Sequence, residues 1–258
     1  MAAIIQSISL NKSFGAVVAA SNISIDIEEG TITGLIGTNG AGKTTFVNMI
    51  TGYLKPDTGT IRFRGEDITS LPPRAITRMG VARSFQIPQL FNSLTVRENL
   101  AVSIVARVAN GLEGLRAADH DTLDSQAAEV LARFGLSDFG ESTAGTLPEG
   151  IRKLLDMAVA MVAQPIVLLL DEPTSGVASE EKFAVMDRVM AATRGLTTLF
   201  VEHDMDTVRR YATRVIAFYA GTVLSDGPPG TVLNDARVRE LIIGESHGPA
   251  AAGGRADA

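Results

Sequence analysis

The stretch Gly37-Thr38-Asn39-Gly40-Ala41-Gly42-Lys43-Thr44 has the spacing G-x-x-x-x-G-K-[ST], and it joins a β-rich run to a predicted helix. Its glycines allow backbone N–H groups to curl around an anion, and the helix that follows turns the positive end of its dipole toward a phosphate. Lys43 is expected to reach the β- and γ-phosphates of ATP, and the Thr44 hydroxyl to bind Mg²⁺. The predicted nucleotide-binding residues are Gly37, Thr38, Asn39, Gly40, Ala41, Gly42, Lys43, Thr44 and Thr45.

Composition sets the broad class of the chain. Its 258 residues suffice for one large or two small domains, and the hydrophobic share of 45% and charged share of 20% exclude a disordered or fibrous chain. Acidic residues outnumber basic ones, 29 to 23, so we expect no nucleic-acid partner. The absence of cysteine excludes disulfides, thiol catalysis and cysteine-ligated zinc, and it fits a reducing compartment.

The sequence predicts no membrane span and no secretion signal. The most apolar stretch, from Ala158 to Leu170, is broken by Gln164 and Pro165 and is shorter than the roughly 20 residues that a span requires. The N-terminal residues lack a charged segment followed by a long apolar one. We therefore expect a cytoplasmic protein that meets a membrane only through a partner.

The order of predicted elements indicates an α/β fold with an insertion. Partial alternation over residues 4–10 and 22–28 predicts strands of a half-exposed sheet. Between about Pro88 and Ala163 strand-like runs vanish, and the pattern favours three helices: Glu98 to Ala109, Leu123 to Phe134 and Arg152 to Val162. After Pro165 the β/α alternation returns with apolar runs typical of buried parallel strands, Ile166 to Leu170 and Thr197 to Val201.

This pattern predicts a P-loop NTPase fold with an N-terminal antiparallel β subdomain and an inserted α-helical subdomain. The expected boundaries are one ATPase domain over residues 1–245, with its core at about 1–87 and 164–245 and the helical subdomain at about 88–163. Residues 246–258 lack apolar periodicity and are expected to be disordered.

Charged residues follow two of the predicted buried strands. Asp171 comes directly after Leu170, at the carboxyl edge where parallel sheets bind ligands, and is expected to complete the magnesium shell. Glu172 can polarise the attacking water as a general base. His203 follows the strand Thr197 to Val201 and is expected to be catalytic on the γ-phosphate side, although a lone histidine is more often structural or exposed.

Taken together, these motifs resemble the ATPase subunits of ABC transporters over about residues 4–245. The segments that carry the resemblance occur in the family's order: Phe14, the phosphate loop, Gln86, a leucine-led segment before a helix, Leu170-Asp171-Glu172-Pro173 and His203. The chain is most similar to the subunits of branched-chain amino acid importers, through Arg83-Ser84-Phe85-Gln86, Leu90-Phe91, Leu94-Thr95-Val96-Arg97-Glu98-Asn99-Leu100, Val201-Glu202-His203-Asp204-Met205 and Asp226-Gly227-Pro228.

The resemblance implies roles that the residues alone do not show. Phe14 would stack on adenine, the alternative being a core aromatic. Gln86 would touch Mg²⁺ and the attacking water, the alternative being an exposed loop amide. The family implies a head-to-tail dimer with a second ATPase subunit and binding to integral membrane permease subunits. It also implies an indirect link to a solute-binding protein outside the membrane and a location on the inner face of the cell membrane.

Two segments depart from the family pattern. The signature Leu-Ser-Gly-Gly-Gln is replaced by Leu147-Pro148-Glu149-Gly150-Ile151, in which Pro148 lacks an N–H and Glu149 adds a negative charge. The usual Asp after the catalytic Glu is also absent from the loop that follows Pro173. The first departure predicts a heterodimer with one strong and one weak ATPase site, although a homodimer stays open.

The function predicted from the sequence is ATP binding and hydrolysis that energise uptake of branched-chain or other amino acids, or similar small polar solutes. An ATP-binding regulatory subunit with weak hydrolysis is a second interpretation, motivated by the signature departure. The ATPase of a non-importer ABC system is a third.

Overall fold

The computed structural model describes residues 3–85, 88–108 and 120–244. The predicted site residue Gln86 and the predicted tail, residues 246–258, lie outside the described residues. Within them, no helix is long and apolar enough to cross a bilayer.

A four-stranded antiparallel sheet opens the chain. Its strands are β1 (Ala3–Phe14), β2 (Val17–Glu28), β4 (Thr58–Phe63) and β5 (Glu66–Asp67), in the spatial order β2-β1-β4-β5. Strand β2 buries Ile23, Ile25 and Ile27 and exposes the polar residues between them, as the alternation predicts. Both strands of the first hairpin are longer than predicted, so β1 carries Phe14 to the hairpin tip.

A six-stranded sheet forms the centre of the molecule, in the order β10-β9-β3-β8-β7-β6. Its strands are β3 (Ile32–Gly37), β6 (Val81–Arg83), β7 (Val167–Asp171), β8 (Thr197–Val201), β9 (Arg214–Tyr219) and β10 (Thr222–Gly227). The pairs from β9 through β6 are parallel, and β10 closes one edge as the antiparallel arm of a hairpin. Strands β7 and β8 are buried along their whole length, as their apolar sequences predict.

Nine α-helices surround the sheets in the described residues. They are α1 (Lys43–Ile50), α2 (Pro73–Met79), α3 (Val96–Val108), α4 (His120–Arg133), α5 (Glu149–Val162), α6 (Lys182–Ala192), α7 (Met205–Tyr211), α8 (Pro229–Val232) and α9 (Ala236–Val238). The three helices predicted between Pro88 and Ala163 are present as α3, α4 and α5, and they pack against one another. Helices α2, α7, α8 and α9 and strands β5 and β6 were not predicted, and all of them are seven residues or shorter.

Alternate residues of the central strands serve different cores on the two sheet faces. Leu35, Val167 and Leu169 face the core that contains α1 and the antiparallel sheet. Leu168 and Leu170 face the core that contains α3, α4 and α5. The helical insertion therefore shares its core with the sheet, while its boundaries near residues 88 and 163 stay a prediction. The α/β fold with an antiparallel subdomain is confirmed.

Candidate functional site

The predicted site residues meet because three adjacent strands end at the same level. Strand β8 lies between β3 and β7, and its Val201 pairs with Leu35 on one side and with Asp171 on the other. The residues that follow each strand therefore emerge at one carboxyl edge of the sheet, where parallel sheets bind ligands. This register brings the phosphate loop, Asp171, Glu172 and His203 to one edge.

The loop between β3 and α1 requires glycine at two positions. Gly40 and Gly42 have φ angles of 77° and 103°, in the left-handed region that glycine tolerates. A Cβ on Gly42 would also lie 2.5 Å from the main-chain oxygen of Ala19, which is too close for any side chain. The loop is thus held against the antiparallel sheet, and Thr38, Asn39 and Gly40 stay exposed.

Lys43 lies inside this loop at the start of α1. Its Nζ donates hydrogen bonds to the carbonyl oxygens of Gly37, at 2.7 Å, and Thr38, at 3.0 Å. Burial lowers the pKa of Lys43 below its ordinary value, and the nearby carboxylates of Glu172 and Asp171 oppose that shift. The ammonium group therefore bonds the loop backbone and lies within electrostatic range of Glu172 and Asp171.

Asp171 supplies a buried carboxylate at the end of β7. Its Oδ2 accepts a hydrogen bond from Arg83 Nη2 at 2.5 Å, and the two side chains are 7% and 8% exposed. Its other oxygen, Oδ1, accepts no hydrogen bond from the residues that the structure describes. A carboxylate oxygen and the exposed Thr44 hydroxyl are ligands of the kind that Mg²⁺ prefers, so these two residues fit the predicted metal.

Glu172 leaves the strand in an unusual backbone conformation. Its φ of 49° lies in the left-handed region, a conformation that costs about 1–3 kcal/mol for a residue other than glycine. Its N–H donates a hydrogen bond to the Val201 oxygen at 3.1 Å, and its main-chain oxygen accepts from Lys153 Nζ at 3.3 Å and from the Ser175 N–H at 3.1 Å. The predicted general base thus begins a sharp turn away from the sheet.

Glu202 is a buried carboxylate that was not predicted as a site residue. It connects the loop after Glu172 to His203. It is fully buried, and its Oε1 accepts hydrogen bonds from the N–H of Thr174, at 3.1 Å, and from the Thr174 hydroxyl, at 2.7 Å. Its Oε2 accepts from the N–H of the exposed His203 at 3.2 Å. The available signal was an acidic residue directly after an apolar strand and before His203.

Helix α5 contributes two more buried charges that the sequence analysis did not single out. Asp156 accepts hydrogen bonds from the N–H groups of Phe85 and Gln89, both at 3.0 Å, and thereby holds the chain on both sides of residues 86–87. Burial raises the pKa of Asp156 and lowers that of Lys153, one turn earlier on the same helix. Helix α5 therefore contacts both Glu172 and the segment that contains Gln86.

Phe14 and the signature segment are accessible from outside. Phe14 is 51% exposed at the hairpin tip and belongs to neither core, which argues against the alternative of a core aromatic.

Pro148 is the N-cap of α5 and is exposed, as is Glu149 in the first turn. The Cγ atom of Glu149 would lie 3.4 Å from a Cβ on Gly176, so its stem runs beside the chain's own loop after Pro173.

Comparison with known proteins points to the same family as the sequence motifs. The family model described as ABC transporter matches residues 20–175. The chain is 39% identical, over 90% of its length and 94% of the relative, to the high-affinity branched-chain amino acid transport ATP-binding protein LivG of Salmonella typhimurium. It is 34% identical, over 93% and 95%, to the probable branched-chain amino acid transport ATP-binding protein LivG of Archaeoglobus fulgidus.

A solved structure agrees in three dimensions. The ADP conformation of MJ1267, an ATP-binding cassette of an ABC transporter, superposes with a TM-score of 0.84 at 31% identity. The superposition covers 95% of this chain and 100% of that one.

Replacing Glu202 by Gln should loosen the loop between the two catalytic candidates. The amide offers one accepting oxygen in place of two and turns an N–H₂ group toward donors, so we expect the free energy of unfolding to fall by about 1–3 kcal/mol. We also expect slower ATP turnover in the assembled transporter with nearly unchanged nucleotide affinity, because the Glu202 carboxylate bonds Thr174 and the N–H of His203.

Urea unfolding, nucleotide titration and the ATPase rate measure these effects. Glu66→Gln, at an exposed position of β5, is the matched control. Wild-type stability and turnover in Glu202→Gln would show that the buried carboxylate does not organise the site.

Proposed function

The chain belongs to the ABC transporter family as an ATP-hydrolysing subunit, and from that premise we propose that it energises uptake of branched-chain or related amino acids by an importer. The convergence of the phosphate loop, Asp171, Glu172 and His203 at one sheet edge carries the ATPase part of this proposal. The solute class is supported by the bacterial and archaeal relatives, whose names are those of branched-chain amino acid transport proteins.

In the proposed reaction the site residues bind the nucleotide, the metal and the attacking water. The loop amides and Lys43 bind the phosphates of ATP, and Phe14 stacks on adenine. Glu172 accepts a proton from the water that attacks the γ-phosphate, the bond from the γ-phosphorus to the bridging oxygen breaks, and ADP leaves. His203 contacts the γ-phosphate. Thr44, Asp171 and Gln86 would hold Mg²⁺, which neutralises charge that develops on the phosphate oxygens when it is bound. Gln86 would also touch the attacking water.

Glu172→Gln should separate ATP binding from ATP hydrolysis. The amide keeps the size of the carboxylate but cannot accept the proton, so we expect turnover to fall at least a hundredfold while ATP still binds. The variant should accumulate as a closed dimer with ATP, detected by size-exclusion chromatography. Normal hydrolysis by an assembled transporter carrying this variant would rule out Glu172 as the base.

We propose that the membrane subunit docks in a groove of about 700 Å³ between α2, α3 and α5. The groove has an apolar floor that includes Val159 and Val162, and an exposed aromatic residue, Tyr53, stands at its side. Exposed Arg74 and Arg107 also line it. An apolar floor with basic walls fits an amphipathic segment that carries acidic residues, and this segment is what we assign to the permease on the cytoplasmic side.

A charge placed in this groove should disrupt assembly without affecting ATP binding. Ala106→Glu puts a bulky carboxylate on the exposed face of α3 in the groove and opposes an acidic partner. We expect recovery of the membrane subunits by affinity purification to fall at least tenfold. Ala128→Glu, at an exposed position of α4 outside the groove, is the matched control. Equal recovery with both variants would exclude the groove as the docking surface.

We propose a second ATPase subunit as the partner in a head-to-tail dimer. Glu149 places a carboxylate in the first turn of α5, where the helix dipole stabilises an anion. A γ-phosphate from the partner would compete for this position, and Pro148 offers it no N–H. The site built on the partner's phosphate loop is therefore the weak one, and the site built on this chain's own loop is the strong one.

Repair of the signature should activate the weak site. Pro148→Ser together with Glu149→Gly restores the hydroxyl and removes the competing charge, so we expect turnover at the weak site to rise about tenfold. The ATPase rate is compared for the chain alone, the reconstituted pair and the repaired pair. Vigorous, cooperative hydrolysis by the unrepaired chain alone would contradict the asymmetry and favour a homodimer, and weak hydrolysis by every pair would favour a regulatory subunit.

A further inference from the structure

We infer that Arg83 is a positioning residue that fixes the Asp171 carboxylate and, through it, the affinity of the site for a divalent cation. The inference rests on the proposed ATPase function. The guanidinium group of Arg83 lies in the interior, between strand β6, the end of strand β7 and helix α1.

The guanidinium of Arg83 bridges three elements. Its Nη2 donates to Asp171 Oδ2 at 2.5 Å, and its Nη1 donates to Asn48 Oδ1 at 2.6 Å. Asn48 lies on α1, the helix that begins with Lys43 of the phosphate loop. One rigid, planar group therefore sets the distance between the metal-binding carboxylate and the helix that follows the loop.

Two aromatic rings flank this guanidinium. The Cζ atom of Arg83 lies 5.2 Å from the ring centre of Phe85 and 5.9 Å from that of Tyr53, and the two rings meet edge to face. Its Nε is buried and has no hydrogen-bond partner in the described part of the chain. Burying a charge and a polar N–H in this way is costly unless the charge is paired. Asp171 is its only ion-pair partner among the described residues.

The ion pair with Arg83 leaves the second carboxylate oxygen of Asp171 available to a metal. Arg83 occupies Oδ2 and fixes the carboxylate plane, while Oδ1 accepts no hydrogen bond from the described residues. A lysine could keep the charge but could not bond Asp171 and Asn48 together in this planar fork. Arg83 thus acts on the metal through Asp171, while the nucleotide phosphates are left to the loop and Lys43.

The first measurement is binding of Mn²⁺, as a probe for Mg²⁺, to the nucleotide-loaded protein by electron paramagnetic resonance. We expect Arg83→Met to weaken Mn²⁺ binding about tenfold and Arg83→Lys to weaken it less. We expect the affinity for ATP in EDTA to stay within twofold, because Lys43 and the loop are unchanged. Arg209→Met, an exposed arginine of α7, is the matched control and should leave both affinities unchanged.

A double-mutant cycle with Asp171→Asn tests whether Arg83 acts through Asp171, and it also covers poor folding of Arg83→Met. The double variant removes both ends of the buried pair, so no unpaired charge is left in the interior. In the Asp171→Asn background we expect Arg83→Met to change Mn²⁺ affinity by less than twofold. The same tenfold loss there, or unchanged Mn²⁺ binding in a folded Arg83→Met, would overturn the inference. Failure of the wild-type protein to bind ATP would instead overturn the proposed function.

Discussion

The hydrogen-bond register of the parallel strands β3, β8 and β7 is the constraint on which the rest of the site depends. It aligns the carboxyl ends of three strands, so the phosphate loop, the Asp171-Glu172 pair and Glu202-His203 emerge side by side. A shift of one residue in β7 would turn Asp171 toward the opposite face of the sheet. The strands are buried on both faces, and two separate cores fix this register from either side.

Buried charges link the site to the helical insertion. Helix α5 begins at the signature segment and carries Lys153 and Asp156, which bond the Glu172 carbonyl and the chain on both sides of residues 86–87. A movement of this helix against the sheet would thus act on Glu172, the proposed general base, and on the chain at either side of residues 86–87 together. This arrangement gives a physical route between this chain's own signature segment and its candidate catalytic residues.

Much of the fold and of the site could be predicted from the sequence. The phosphate loop has a fixed spacing that the sequence shows directly. Asp171 and His203 follow apolar strands, and residues that follow buried parallel strands of an α/β fold lie at the carboxyl edge of the sheet. Contacts that depend on tertiary structure could not be predicted. The bond from Arg83 to Asp171 joins residues 88 positions apart, and the buried position of Glu202 follows from its loop and not from its local pattern. Short elements such as α2 and β6 were missed because seven or fewer residues show little periodicity.

Nucleotide binding by the phosphate loop is the property on which the proposed ATPase activity depends most directly. The test is a titration of the purified chain with a fluorescent ATP analogue, with Lys43→Ala as the variant and Lys55→Ala, at an exposed position, as its control. We expect the wild-type chain and Lys55→Ala to bind alike and Lys43→Ala to lose most of its affinity, because the variant lacks the positive charge that we assign to phosphate binding. Near-normal binding by a folded Lys43→Ala would contradict the account.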